Sequence, residues 1–210
     1  MFTGLVEEIG IVKEKVSIGG GIRFTFTAKN ILEDIHIGDS INVNGVCQTV
    51  IDFGVNLFVV ESVEETLKKT SFNNLGVGFK VNLERSMKAN SRFGGHFVLG
   101  HVDSVGKILE ITKLSSSYKV KVSFDENFSN YLIPVGSIAI DGVSLTLVDV
   151  QKNNFSVAII PHTWANTIFA SKRVGDSVNL EFDVIGKYVA KSLGKTDLVF
   201  SEKWLKEAGY

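Results

Sequence analysis

Two small nucleophile-type side chains stand at matching places in this chain. Cys47 lies in Asn44-Gly45-Val46-Cys47-Gln48-Thr49 and Ser144 in Asp141-Gly142-Val143-Ser144-Leu145-Thr146. Each follows a tight Asn-Gly or Asp-Gly turn, and each shares a face of its strand with a threonine two residues on, Thr49 or Thr146. A thiol or hydroxyl facing a pocket can add to an electrophilic carbon or relay a proton. Taken alone, a lone cysteine in a strand reads as a small buried hydrophobe. The serine at the equivalent position points instead to a shared polar atom facing a pocket. His96 and His101, in Gly94-Gly95-His96-Phe97-Val98-Leu99-Gly100-His101, could move protons near neutral pH. The competing reading for either is a hydrogen-bonded structural histidine. On an extended chain the two point to opposite faces, which argues against a joint metal site. Asp183 reads either as a reactive acid or as the N-cap of a C-terminal helix. Glu84 and Glu181 close matching strands and read as structural. No phosphate loop, metal cluster or Ser-His-Asp pattern occurs.

These residues sit in a duplicated frame. The organising stretch Ile41–Val50 returns at Ile138–Leu147, a shift of 97 positions. Phe2–Gly10 is answered by Val98–Gly106, Phe58–Thr70 by Phe155–Thr167, and Gly78–Glu84 by Gly175–Glu181. Phe2–Lys13 predicts a buried strand, Gly19-Gly20-Gly21 a hairpin loop, and Ile22–Ala28 an alternating strand. Val63–Thr70 has the composition of a short helix. Short strands, glycine turns and one short helix per half predict an all-β chain of two tandem six-stranded Greek-key-like barrels, closed to hide their edges. The expected division is 1–95, 96–184 and a tail 185–210, with the joint at Arg85–Gly95. Val184, Ile185, Tyr188, Val189 and Leu193 share one helical face, and Ser201 can cap a second helix over Glu202–Ala208. That helical tail is expected to serve oligomerisation.

Composition narrows the function. With 210 residues the chain holds two domains; a net charge of −1 offers no field for nucleic acid or an acidic membrane. An oligonucleotide-binding barrel would need a groove of basic and aromatic residues, and no Lys/Arg cluster exists. One cysteine permits no intrachain disulfide, which fits a reducing cytoplasm. The acidic start predicts no signal peptide, and no run is long enough to span a bilayer. A duplicated barrel suits two similar ligands, or two molecules of one.

Several segments together carry a family resemblance: Met1-Phe2-Thr3-Gly4, Asn44-Gly45-Val46-Cys47, Glu65-Thr66-Leu67, Val81-Asn82-Leu83-Glu84-Arg85, Gly94-Gly95-His96, Gly100-His101-Val102-Asp103, Asp141–Thr146, Ile160-Pro161-His162-Thr163 and Lys187-Tyr188-Val189. From Met1 to the tail, the chain resembles the riboflavin synthases of the α-chain type. The resemblance implies one 6,7-dimethyl-8-ribityllumazine in each barrel and transfer of a four-carbon unit between them. The products would be riboflavin and 5-amino-6-ribitylamino-uracil, with no metal or other cofactor. It also implies a homotrimer assembled through the C-terminal helix, in which an N-terminal barrel faces a neighbour's C-terminal barrel, and lumazine synthase as a further partner. By position, Cys47, Gln48, Thr49, Glu61, Ser62, Val63, Glu64, Glu65, Thr66, Gly100, His101 and Val102 would line the first pocket. Gly4, Leu5, Val6, Val135, Ser144, Leu145, Thr146, Ile160, Pro161, His162 and Thr163 would line the second. Cys47, His101 and Ser40 are the expected catalytic side chains of the first pocket, and Ser144, Thr146 and Asp183 their equivalents at the second. Gln48 replaces the family's usual leucine, and Val135 stands where some members place a lysine. A non-catalytic lumazine- or flavin-binding optical protein is the alternative in this fold, but such relatives tend to lose the glycine-histidine segment kept here.

Overall fold

Runs of alternating residues too short to stand as open sheets close on themselves. The computed structural model describes residues 1–193. In the first half β1 (Glu8–Ile18), β2 (Gly21–Thr27), β3 (Ser40–Val43), β4 (Val46–Gly54), β5 (Leu57–Ser62) and β6 (Lys80–Arg85) form a closed barrel in the order β1-β2-β5-β4-β3-β6. The second half repeats it with β7 (Ser104–Lys113), β8 (Tyr118–Ser123), β9 (Ser137–Ile140), β10 (Val143–Val150), β11 (Asn154–Ile159) and β12 (Ser177–Phe182). Helix α1 (Glu64–Lys69) follows β5, and α2 (Pro161–Ala165) follows β11. Inward residues fill each barrel. Phe24, Phe26, Phe58 and Phe72 dominate the first core, and Phe155, Phe169 and Phe182 the second.

The barrels meet across an approximate two-fold axis built from their Asn-Gly and Asp-Gly turns. Asn44 (φ 47°) and Asp141 (φ 45°) lead into Gly45 (φ 83°) and Gly142 (φ 80°), the left-handed pair of a two-residue hairpin. A Cβ on Gly45 would lie 2.9 Å from the Gly142 nitrogen, so the turns touch through bare backbone. Two buried asparagines stitch the joint. Asn82 Nδ2 donates to the Asp141 carbonyl (2.9 Å) and Asn179 Nδ2 to that of Asn44 (2.7 Å). Their carbonyl oxygens accept from Ile168 N and Ser71 N in the opposite halves.

The expectation of a strand from Phe2 is corrected. β1 starts at Glu8, and the preceding segment leaves the first barrel to lie against the second. Phe2 and Val98 form an antiparallel bridge with N–H···O distances of 2.7 and 3.1 Å. Val6 packs on the second core and Val102 on the first. The halves have exchanged their leading segments.

Among the described residues Val135 is the one β-branched residue in the left-handed region (φ 64°), and its counterpart 97 positions earlier is Gly38 (φ 95°). A branched side chain there is strained by roughly 1–2 kcal/mol, and at 80% exposure packing returns little. Val135→Gly is therefore expected to stabilise the protein by about 1 kcal/mol, after allowing for glycine's greater unfolded entropy. An unchanged or lower urea midpoint would contradict this.

After β12, α3 (Val184–Leu193) leaves Ile185, Tyr188 and Val189 exposed along its apolar face. The expected helix at 202–208 lies outside the described residues. Among those described, no helix is long and apolar enough to cross a membrane.

Candidate active site

The register of β4 creates the site. Val43 and Val46 flank the turn as a mutually hydrogen-bonded pair, and such pairs alternate along an antiparallel ladder. Val50 N donating to the Asp39 carbonyl (2.9 Å) keeps that phase. Cys47 and Thr49 therefore aim their main-chain groups away from β3, while β5 pairs with β4 only from Val50 onward. An opening remains beside residues 47–49. The exchanged segment partly fills it: Cys47 N donates to the Gly100 carbonyl at 2.8 Å. The second barrel repeats this. Ser144 N donates to the Gly4 carbonyl at 2.8 Å, and β10 joins β11 only from Leu147. The Val50–Val60 and Leu147–Val157 pairs engage the carbonyls of Thr49 and Thr146, which leaves the carbonyls of Cys47 and Ser144 and the N–H groups of Thr49 and Thr146 facing the openings. Such an edge matches a cyclic imide, whose N–H lies between two carbonyls.

Gly4 and Gly100 (φ 78° each) make the exchange feasible. A Cβ on Gly4 would fall 2.6 Å from Ser144 Cβ, and one on Gly100 2.6 Å from Cys47 Cβ. Two buried carboxylates hold the segments in place. Glu84 accepts from Thr3 N (2.7 Å), Thr3 Oγ1 (2.8 Å) and Gly4 N (3.1 Å). Glu181 accepts from Leu99 N (2.7 Å), Gly100 N (3.0 Å) and His101 N (3.1 Å). The repeat had marked this pair as structural, and its function is to position the residues that complete each opening.

Burial raises both carboxyls, Glu84 against the lowering by Thr3, and Glu181 up to about 7 against the lowering by Leu99 and Lys187. A raised carboxyl holds its proton more firmly in the folded state. Glu181's contribution to stability is thus complete below about pH 4.5 and is lost as pH rises through about 7. Wild type should lose about 3 kcal/mol relative to Glu181→Gln between pH 4.5 and 7.5, at roughly 1.4 kcal/mol per unit. Urea unfolding of both proteins across that range checks it; parallel curves would refute the assignment.

The residues expected at the first opening fall in separate groups. Ser40 lies directly opposite Thr49, on the face that carries Cys47. Cys47 is half-buried against Phe2, Val98 and Ala139. Glu61, Ser62, Val63, Glu64 and Glu65 line a hollow of about 420 Å³ with Ile18, Gly19 and Gly21. Thr66 follows in α1, and its carbonyl accepts from Thr70 Oγ1. His101 is exposed beside Gly100. Gln48 points the other way, into the barrel, where its Oε1 accepts from Ser62 Oγ (2.6 Å). It stands behind the opening.

At the second opening Leu145 takes that inward place, while Thr146 is exposed and Ser144 half-buried. Ile160 and His162 are exposed next to Pro161 and Thr163 at the start of α2. Tyr118 occupies the position of Gly21 and stacks on Trp164 with ring centroids 4.0 Å apart. Asp183 caps α3, its Oδ1 accepting from Ile185 N at 2.9 Å. A larger cavity of about 740 Å³ has Leu5 and Ser40 in its wall, beside Glu7, Arg85, Asp34 and Lys88. Glu7, Asp34 and Lys88 are tied to Arg85 or to one another in ion pairs.

Three residues of chemical interest were absent from the expected sets. His96 is buried, its Nδ1 2.7 Å from Ser144 Oγ. Burial lowers its pKa, with partial compensation from Asp183, so the ring is neutral at pH 7. Its Nε2 has no hydrogen-bond partner among the described residues. Ser137 sits opposite Thr146 as Ser40 sits opposite Thr49, a match visible from the 97-residue shift. Phe2, fully buried, joins the first exchanged segment to the second through its bridge to Val98.

Two like barrels, each with an imide-matching strand edge finished by the other half, define a two-site binder of a flat heterocycle. The lumazine binding domain family matches residues 3–86 and again 99–183. Riboflavin synthases of Bacillus subtilis (strain 168) and Actinobacillus pleuropneumoniae are each 44% identical over the whole of both chains. That of Schizosaccharomyces pombe (strain 972) is 44% identical over 91% of this chain and 93% of its own. The chain belongs to the riboflavin synthase family of enzymes. In fold it also resembles crystal structures of LumP complexed with riboflavin (TM-score 0.81, 25% identity) and with 6,7-dimethyl-8-(1'-D-ribityl) lumazine (TM-score 0.79, 24% identity). Each likeness covers 87% of this chain and 99% of the other.

Proposed function

We propose that the chain dismutates 6,7-dimethyl-8-ribityllumazine, one molecule donating four carbons to a second, to yield riboflavin and 5-amino-6-ribitylamino-uracil. The observation that carries this reading is the pair of matched openings, each with a main-chain edge suited to a pyrimidinedione. Much of the reactivity belongs to the substrate. Its C7 methyl is a carbon acid because the carbanion delocalises into the ring. Holding two such rings in register supplies several kcal/mol by proximity and orientation. At the second opening neutral His96, bonded to Ser144 Oγ, is suited to accept a proton through that hydroxyl. Cys47, Ser40 and His101 are the side chains placed to add to or protonate a ring at the first.

The division at 1–95, 96–184 and 185–210 belongs to this reading. So does a homotrimer through α3, supported by the exposed Ile185, Tyr188 and Val189, which brings an N-terminal opening against a neighbour's C-terminal one. A reducing cytoplasm suits the single free thiol. Lumazine synthase, the source of the substrate, is the proposed partner. Incubation of the protein with the lumazine alone tests the reading. One riboflavin for every two lumazines consumed is expected; tight binding without turnover would contradict it.

A further inference from the structure

The two openings differ at one buried pair. In the first, Gln48 bends back so that its Nε2 donates to the Cys47 carbonyl (2.9 Å), while its Oε1 accepts from Ser62 Oγ across the gap between β4 and β5. Gln48 and Ser62 are 4% and 1% exposed. In the second, the corresponding residues are Leu145 and Ile159, both buried and apolar. By the ladder phase argued above, the carbonyls of Cys47 and Ser144 both face their openings, beside the edges of Thr49 and Thr146. The Cys47 carbonyl is already engaged. No side chain among the described residues donates to that of Ser144.

We propose that Gln48 is a specificity-determining residue that makes the two sites inequivalent, because its amide pre-empts a main-chain acceptor that the second site leaves open to the ligand's imide N–H. The inference rests on the two-site reading above. A ligand in the first opening either forgoes that bond or displaces the amide, which also strips Ser62 of its buried partner. The second opening offers the acceptor at no such cost. The first site is thus the weaker for any ring with a free imide N–H. For a ring alkylated at that nitrogen, Gln48 makes no difference.

The test replaces the first floor by the second. Gln48→Leu alone leaves the Ser62 hydroxyl buried without a partner, so Gln48→Leu/Ser62→Ile is the main variant. The reciprocal Leu145→Gln/Ile159→Ser serves as a second, with thermal melts reporting folding. Fluorescence titration with riboflavin should show two affinity classes in the wild type. In Gln48→Leu/Ser62→Ile the weaker class should tighten by about 3- to 10-fold, the net worth of one hydrogen bond, and N3-methylriboflavin should show no such gain. The reciprocal variant should weaken the tighter class for riboflavin. Equal tightening of both ligands would mean that Gln48 acts only on packing, and unchanged riboflavin classes would mean that it does not act; either overturns the inference while the two-site reading stands. Failure of the wild type to bind two riboflavins per chain would overturn that reading, and this inference with it.

Discussion

Phe2→Ala lowers kcat/KM by at least about 100-fold, the expected effect of displacing reacting groups by an ångström or so. Phe2 presents no polar side-chain atom to either opening, yet its ring is fully buried with Val98 and Ala139, and Cys47 packs on the same cluster. Its main chain forms both bonds of the bridge to Val98. Thr3 and Gly4 follow immediately, so loosening the ring frees the segment that completes the second opening. Loss of the Val98 contact frees the segment that completes the first. Truncating a buried Phe costs about 3–5 kcal/mol in a rigid core, and part of that cost is avoided here by local detachment, which abolishes the site. Steady-state kinetics with a melting curve checks this. A Tm lowered by several degrees with near-normal kcat/KM would contradict the positioning role.

Gly100→Ala should cost nearly as much activity but act on one site. The new Cβ would meet the Cys47 nitrogen at 2.7 Å and Cys47 Cβ at 2.6 Å, at a φ that L-residues seldom adopt. Neither obstacle is the end of a flexible side chain. The segment must withdraw, breaking the bond to Cys47 and pulling Leu99 and His101 from Glu181. The second opening, held by Gly4 and Glu84, is untouched. The variant is expected to bind one riboflavin per chain instead of two and to retain under about 1% of turnover, since the reaction needs two rings. Two bound riboflavins and substantial turnover would refute the pre-formed close approach. Gly4→Ala should give the mirror result.

The barrels were legible because repetition doubles every signal. The turn glycines, the Ile22–Ala28 alternation and the short helix after β5 each recur where spacing requires. The exchange of leading segments was not, because Phe2–Val6 has the composition of a strand wherever it lies. Only tertiary placement decides which barrel it joins. Glu84 and Glu181 were visible as a repeated acid, but their donors are main-chain N–H groups about 80 residues away, which leave no mark on a sequence. His96 was legible as a possible proton carrier but not as a member of either pocket, because it has no counterpart in the first half and its bond to Ser144 spans 48 residues. Gln48 was recognisable as facing away from Cys47 and Thr49; its bond to Ser62 depends on which strand lies across the opening.

The most direct test is a crystal structure of the protein with riboflavin bound. The account predicts one ring in each barrel, its pyrimidinedione edge on Thr49 in the first and on Thr146 in the second, with Gly100–Val102 and Gly4–Val6 respectively alongside. Rings lodged instead in the cavity between Ser40 and Lys88, or one ring shared between the barrels, would contradict it.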